Sequence, residues 1–155
     1  MVFFTVLKSI LQKPFIAIGM FFLHNVLVIS LILLGMSFYV NLVISNFFKR
    51  EKYSYIVLEY PRVFAIIFTV IVVFLSISRG GTLIYGQIAI ETLPMILLMS
   101  TPVGLIEGYG VYLTIKNTLS RTLSMKGLIY IYSIFLVAAV VEVGFISLLV
   151  KVLTA

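Results

Sequence analysis

No charged residue occurs between Phe15 and Phe48. An uninterrupted run of that kind exceeds the roughly 20 apolar residues a helix needs to cross a ~30 Å hydrocarbon core. Two further uncharged runs follow, Val63 to Ser78 and Gly127 to Val150, the second broken only by Glu142 before Lys151. The chain as a whole is 63% hydrophobic and 10% charged, where soluble domains carry about 25% charge. Too few polar side chains remain to cover a surface in water. Soluble enzymes, nucleic-acid-binding domains and disordered linkers are therefore set aside, and an all-α, polytopic transmembrane bundle of four to five spans in the cell membrane is expected.

Along the chain, residues 1–13 alternate apolar side chains with Lys8 and Lys13 and read as an amphipathic interfacial segment. Residues 14–155 form a single transmembrane helical domain in this reading. Its first span is the Phe15 to Phe48 run, long enough to tilt, to project beyond the bilayer or to break near Gly35. Lys49-Arg50-Glu51-Lys52, Tyr53, Tyr55, Tyr60 and Pro61-Arg62 follow, a mixture of charge and aromatic residues suited to a headgroup-level loop. Val63 to Ser78 makes the second span. Gly80-Gly81, Glu91, Pro94 and Pro102 then punctuate an apolar stretch, which predicts two half-length helices and a broken or re-entrant segment near residues 80–101. The last two helices are expected from about Pro102 to Ile115 or beyond and from Gly127 to Val150. The apolar run at Phe15 is too long for a signal-peptide core, so no cleaved leader is expected.

Eleven Lys and Arg stand against five acids, giving a net charge of +6. These charges fall mostly between the apolar runs and read as topology signals facing the lipid bilayer. With four spans, Lys49, Arg50, Lys52, Arg62, Lys116, Arg121 and Lys126 share one side, and Lys8, Lys13, Arg79 and Lys151 the other. The richer side is expected to be cytoplasmic, with both termini outside. No stretch builds the basic face of a nucleic-acid-binding domain. The absence of Cys excludes disulfides and thiolate chemistry.

Glu107 and Glu142 lie inside apolar runs, where a charge costs roughly 2.5–3.5 kcal/mol on insertion scales, so such residues face a bundle interior. Ser100, Gly104 and Gly108 recur every four residues beside Glu107, and Ala138 and Ala139 lie one turn before Glu142. Small residues at this spacing let helices approach closely. His24-Asn25 is a polar pair in the first span, followed by Ser37, Asn41 and Ser45. Glu107, Glu142, His24 and Asn25 are thus the expected intramembrane polar site, and Ser100, Gly104, Gly108, Ala138 and Ala139 the helix-packing positions. Three uses of the acids stay open: a packing seam, a proton, ion or substrate pathway, and a docking site for a partner. His24 suits interhelical hydrogen bonding, an interfacial position or a proton relay. A metal site is not expected, since zinc needs three or four ligands and no second His exists. No cofactor is implied. HExxH, GxSxG, P-loop and GxGxxG patterns are absent, there is no Asp for an aspartyl dyad, and an enzyme is not expected.

Two of these elements carry a resemblance. Pro102-Val103-Gly104-Leu105-Ile106-Glu107 resembles the Pro-His-Gly-x-x-Glu element of the stage II sporulation protein M family, with Val103 where the family has His. Ala138-Ala139-Val140-Val141-Glu142 resembles that family's Ala-Ala-x-Ile-Glu element, and His24-Asn25-Val26-Leu27-Val28 through Gly35 is similar to its Asn-Asn-x-x-Val stretch. The resemblance implies a small, non-enzymatic polytopic membrane protein, the membrane subunit or scaffold of a larger complex. Relatives encoded near ATP-binding cassette ATPases imply such an ATPase as partner and a transport role. Self-association into a homo-oligomer through the small-residue faces is also expected.

Overall fold

The computed structural model describes residues 13–45, 55–85 and 93–154, with side chains at 13–45, 55–75 and 101–148. Residues 1–12, which hold nearly all of the expected interfacial segment, lie outside the described residues, as do Lys49-Arg50-Glu51-Lys52 and Glu91. The described chain is all-helical: α1 (Pro14–Ile44), a single turn α2 (Ile56–Glu59), α3 (Pro61–Tyr85), α4 (Leu93–Leu119) and α5 (Met125–Thr154).

Each long helix starts where the chain chemistry allows. Pro14 sits in the first turn of α1, where its missing N–H would have no partner in any case. Pro61 and Pro94 begin α3 and α4 in the same way. Ser124 caps α5, its Oγ accepting the Gly127 N–H at 3.1 Å, one of the orphan donors of a first turn. α4 ends with Thr122 N donating to Asn117 O at 3.0 Å and Arg121 N to Thr118 O at 3.1 Å. These bonds form a Schellman motif, with Arg121 at φ 55° in the left-handed position usually held by Gly.

α1 runs unbroken through Gly35, the continuous one of the forms expected for the first span. Two expectations are corrected. α3 continues through Gly80-Gly81 to Tyr85, and α4 begins at Leu93 and passes through Pro102 to Leu119. Two full-length helices therefore replace the expected half-length pieces, and residues 86–92 of the expected 80–101 segment lie outside the described ones. Gly costs a water-exposed helix about 1 kcal/mol, but in an apolar setting no water competes for the backbone groups, so the helix persists.

α1 and α5 are each long and apolar enough to cross a membrane. α4 packs on α1, α3 and α5, α1 also packs on α5, and α3 leans mainly on α4. α1 and α4 run parallel, α3 and α5 against them: Thr69 and Val73 of α3 face Gly108 and Gly104 of α4, and Asn41 of α1 shares a groove with Leu123 and Leu128 at the start of α5. The core holds Ile29, Ile115 and Ile131 with Val40, Val111, Leu119 and Phe135. The outside is just as apolar, with Leu34 71%, Val70 63%, Phe74 69% and Leu105 69% exposed. In water each such side chain forgoes roughly 1.5–3 kcal/mol of burial, so this surface suits hydrocarbon.

Charge collects at one end. The end of α1, the start of α3, the end of α4 and the start of α5 lie together, tied by Tyr55 donating its hydroxyl to Val43 O at 3.3 Å and by Val40 packing with Leu119 and Leu123. Arg62, Lys116, Arg121 and Lys126 belong to these ends, and Lys116 stands 5.9 Å over the Tyr112 ring, a cation–π contact.

Candidate functional site

Buried polar groups in the interior are few, so each must be accounted for. Among the described residues the buried polar side chains are Asn25, Thr114 and Thr118. The two threonines bond back along their own helix, Thr114 Oγ1 to Gly110 O and Thr118 Oγ1 to Thr114 O, each at 2.7 Å. Such bonds need no second helix. Asn25 has to look elsewhere, because an amide buried without a partner costs several kcal/mol in hydrocarbon.

Its partner is Glu107. Asn25 Nδ2 on α1 donates to Glu107 Oε1 on α4 at 3.1 Å. Glu142 on α5 is close enough for its charge to interact with that of Glu107. Three helices thus bring Asn25, Glu107 and Glu142 together near their mid-lengths. Ala138 and Ala139, fully buried one turn before Glu142, give α5 the close approach this requires. One amide donor and two half-buried carboxyls meet here, and the Asn25–Glu107 bond fixes the rotation of α1 against α4. They also form the only described place where acids on different helices meet.

His24 is exposed where Asn25 is buried. Successive helix residues step 100° around the axis, so Asn25 turning inward leaves His24 on an exposed face of α1. The expected packing positions divide between two seams. Gly104 and Gly108 face α3: a Cβ at Gly104 would stand 3.8 Å from Val73 Cγ1, and one at Gly108 3.0 Å from Val73 Cγ2. The Ser100 backbone lies in α4, while its side chain lies outside the described ones. Ala138 and Ala139 belong to the other seam.

Sequence reading passed over Gly110. A Cβ there would come within 2.5 Å of Phe135 Cε2, so only Gly admits this ring between α4 and α5. Its sequence signal is its place three residues after Glu107, one turn along the same side of the helix. Ser30 is a second omission, its Oγ lying 3.2 Å from the Tyr132 hydroxyl and joining α1 to α5. No three His, Cys, Asp or Glu side chains gather to hold a metal ion among the described residues.

No family model matches the chain, and no curated protein or solved structure does.

Proposed function

We propose that the chain is a non-enzymatic, four-crossing protein of the cell membrane, related to the stage II sporulation protein M family, that serves as a membrane subunit or scaffold in a larger assembly. The observation that carries this reading is the Asn25–Glu107 bond with Glu142 beside it, a polar tie among helices whose outer faces are almost wholly apolar. In lipid, association rests on close packing and interhelical hydrogen bonds rather than on apolar burial, and this bundle is built on both. α3 and α4 rise ~37 Å and ~40 Å by helix geometry, enough to cross alongside α1 and α5. The basic end faces the cytoplasm under the positive-inside rule.

The absence of Cys allows a direct test. Single Lys13→Cys, Tyr60→Cys, Gln87→Cys and Thr122→Cys variants in sealed vesicles are labelled by a membrane-impermeant maleimide. Four crossings put positions 60 and 122 on the cytoplasmic side and positions 13 and 87 on the other; labelling of 87 with 60 would sink the four-crossing reading. Native mass spectrometry of the tagged protein, extracted gently from its own membrane, then reports whether a homo-oligomer or a further subunit accompanies it. A monomer with no partner would remove the scaffold role.

A second reading has an observation of its own. Two acids meeting near mid-length can serve a proton or cation pathway, which would make the chain a transporter or channel component, with an ATP-binding cassette ATPase as the partner to look for.

A further inference from the structure

A groove lies between α1 and α5 at the basic end. It has a volume of about 560 Å³ and is walled by Leu33, Leu34, Phe38 and Leu128, with Ser37 and Asn41 along one edge. Its inner end is closed where Ser30 meets Tyr132. Ser37 and Asn41 are both exposed. Among the described residues neither side chain makes a hydrogen bond. An apolar trough bordered by donors with no partner among the described residues is poorly matched to hydrocarbon alone, because each unpaired polar group there costs free energy.

We infer that this groove binds the headgroup and one acyl chain of an anionic phospholipid from the cytoplasmic leaflet. The inference rests on the reading that the chain crosses the membrane with its basic end cytoplasmic. Three observations select the occupant. From Ser30 to Asn41 the helix rises ~17 Å, close to the ~15 Å depth of one leaflet in a ~30 Å core. The polar edge lies at the end of the trough nearest the basic connector, where the amide of Asn41 and the hydroxyl of Ser37 can donate to phosphate and ester oxygens. Positive charge is close by along the chain: Arg121 stands two residues before Leu123, which lines the groove, and Arg121 and Thr122 are exposed. Among the described residues no carboxylate pairs with Arg121 or Lys126. Basic pockets between helices on the cytoplasmic side favour anionic headgroups by charge.

The groove between α4 and α5, lined by Leu105, Tyr109 and Tyr130, serves as an internal control. The full-length protein in mild detergent is incubated with equal amounts of phosphatidylglycerol and phosphatidylcholine carrying identical acyl chains, and bound lipid is counted by native mass spectrometry. Phosphatidylglycerol is expected to be retained in preference. Arg121→Ala should weaken its retention about fivefold, the equivalent of ~1 kcal/mol of headgroup attraction. Ser37→Trp should fill the trough and abolish retention of the preferred lipid, while Leu105→Trp leaves it unchanged. Asn41→Leu, milder in volume, should lower retention even if Ser37→Trp fails to fold.

Equal retention of the two lipids would overturn the proposal, and so would undiminished retention in Asn41→Leu. A stable dimer that Ser37→Trp disperses would also overturn it, giving the trough to a second copy. Alkaline carbonate extraction of the native membrane keeps the two readings apart. Release of the protein into the wash would remove the membrane assignment itself, whereas a protein that stays in the membrane without headgroup preference removes only the lipid site.

Discussion

Asn25 Nδ2 and Glu107 Oε1, 82 residues apart in sequence, meet at 3.1 Å and join α1 to α4. Because Asn25 is buried at 8% exposure, truncating it leaves a carboxyl oxygen without its donor, which in water-soluble cores costs roughly 1–3 kcal/mol. Membrane helices pay less, on average about 0.6 and at most about 1.7 kcal/mol. Asn25→Ala is therefore expected to lower unfolding stability in detergent by about 0.6–1.7 kcal/mol. Glu107→Gln retains an acceptor oxygen and should cost about half a kcal/mol or less. A double-mutant cycle between the positions measures the coupling directly, and a coupling near zero would show that the bond contributes nothing.

The glycines of α4 form a graded series. A methyl at Gly104 meets ordinary van der Waals distance, one at Gly108 presses on Val73 at 3.0 Å, and one at Gly110 enters the Phe135 ring at 2.5 Å. Overpacking costs roughly 1–3 kcal/mol, so Gly110→Ala should be the most destabilising, Gly108→Ala intermediate and Gly104→Ala close to neutral. Thermal melts of the three variants in one detergent give the ranking. Gly110→Ala combined with Phe135→Leu should recover part of the loss, since the smaller side chain makes room for the methyl. No recovery would place the strain elsewhere than this ring.

The helices were legible in the sequence to different degrees, and the reasons are physical. Phe15 to Phe48 and Gly127 to Val150 lack interruptions, so length alone identifies α1 and α5. Gly80-Gly81 and Pro102 read as breaks because their penalties are known best in water, where a freed backbone group is readily solvated. In the structure α3 and α4 pass through them. The acids were visible as charges in apolar runs and His24-Asn25 as a polar pair, but which of that pair Glu107 uses was not. That choice depends on the rotation of two helices at once, and one residue of shift decides whether His24 or Asn25 turns inward. Gly110 was hidden for the same reason: its role is set by Phe135 on another helix.

The connector between α4 and α5 carries strain that can be removed. A non-Gly residue in the left-handed region pays roughly 1–2 kcal/mol, part of which Gly would return as greater freedom in the unfolded chain. Arg121, at φ 55°, is thus expected to give about 0.5–1 kcal/mol of added stability on replacement by Gly. Arg121→Val, β-branched, should be less stable than wild type. Three residues on, Ser124→Ala removes the Oγ that accepts the Gly127 N–H and should cost ~1 kcal/mol. Chemical unfolding of the three variants checks both statements. A stability gain in Ser124→Ala would mean that the cap bond is not formed in the folded protein.

The acids provide the test between scaffold and pathway. Glu107 stands ~18 Å along α4 from the basic end, and the interior around it is filled by Ile29, Val111, Ile115 and Ile131. Both described grooves open to the outside, and neither is lined by Glu107 or Glu142. A water-filled route past the acids would have to be made by a partner or by helix movement. Proteoliposomes holding the chain alone are therefore expected to be no leakier to protons or monovalent cations than empty ones, and Glu107→Gln and Glu142→Gln should change nothing. Flux above the empty-vesicle level that either Gln variant abolishes would overturn the scaffold reading and make the Asn25–Glu107–Glu142 node a conducting site.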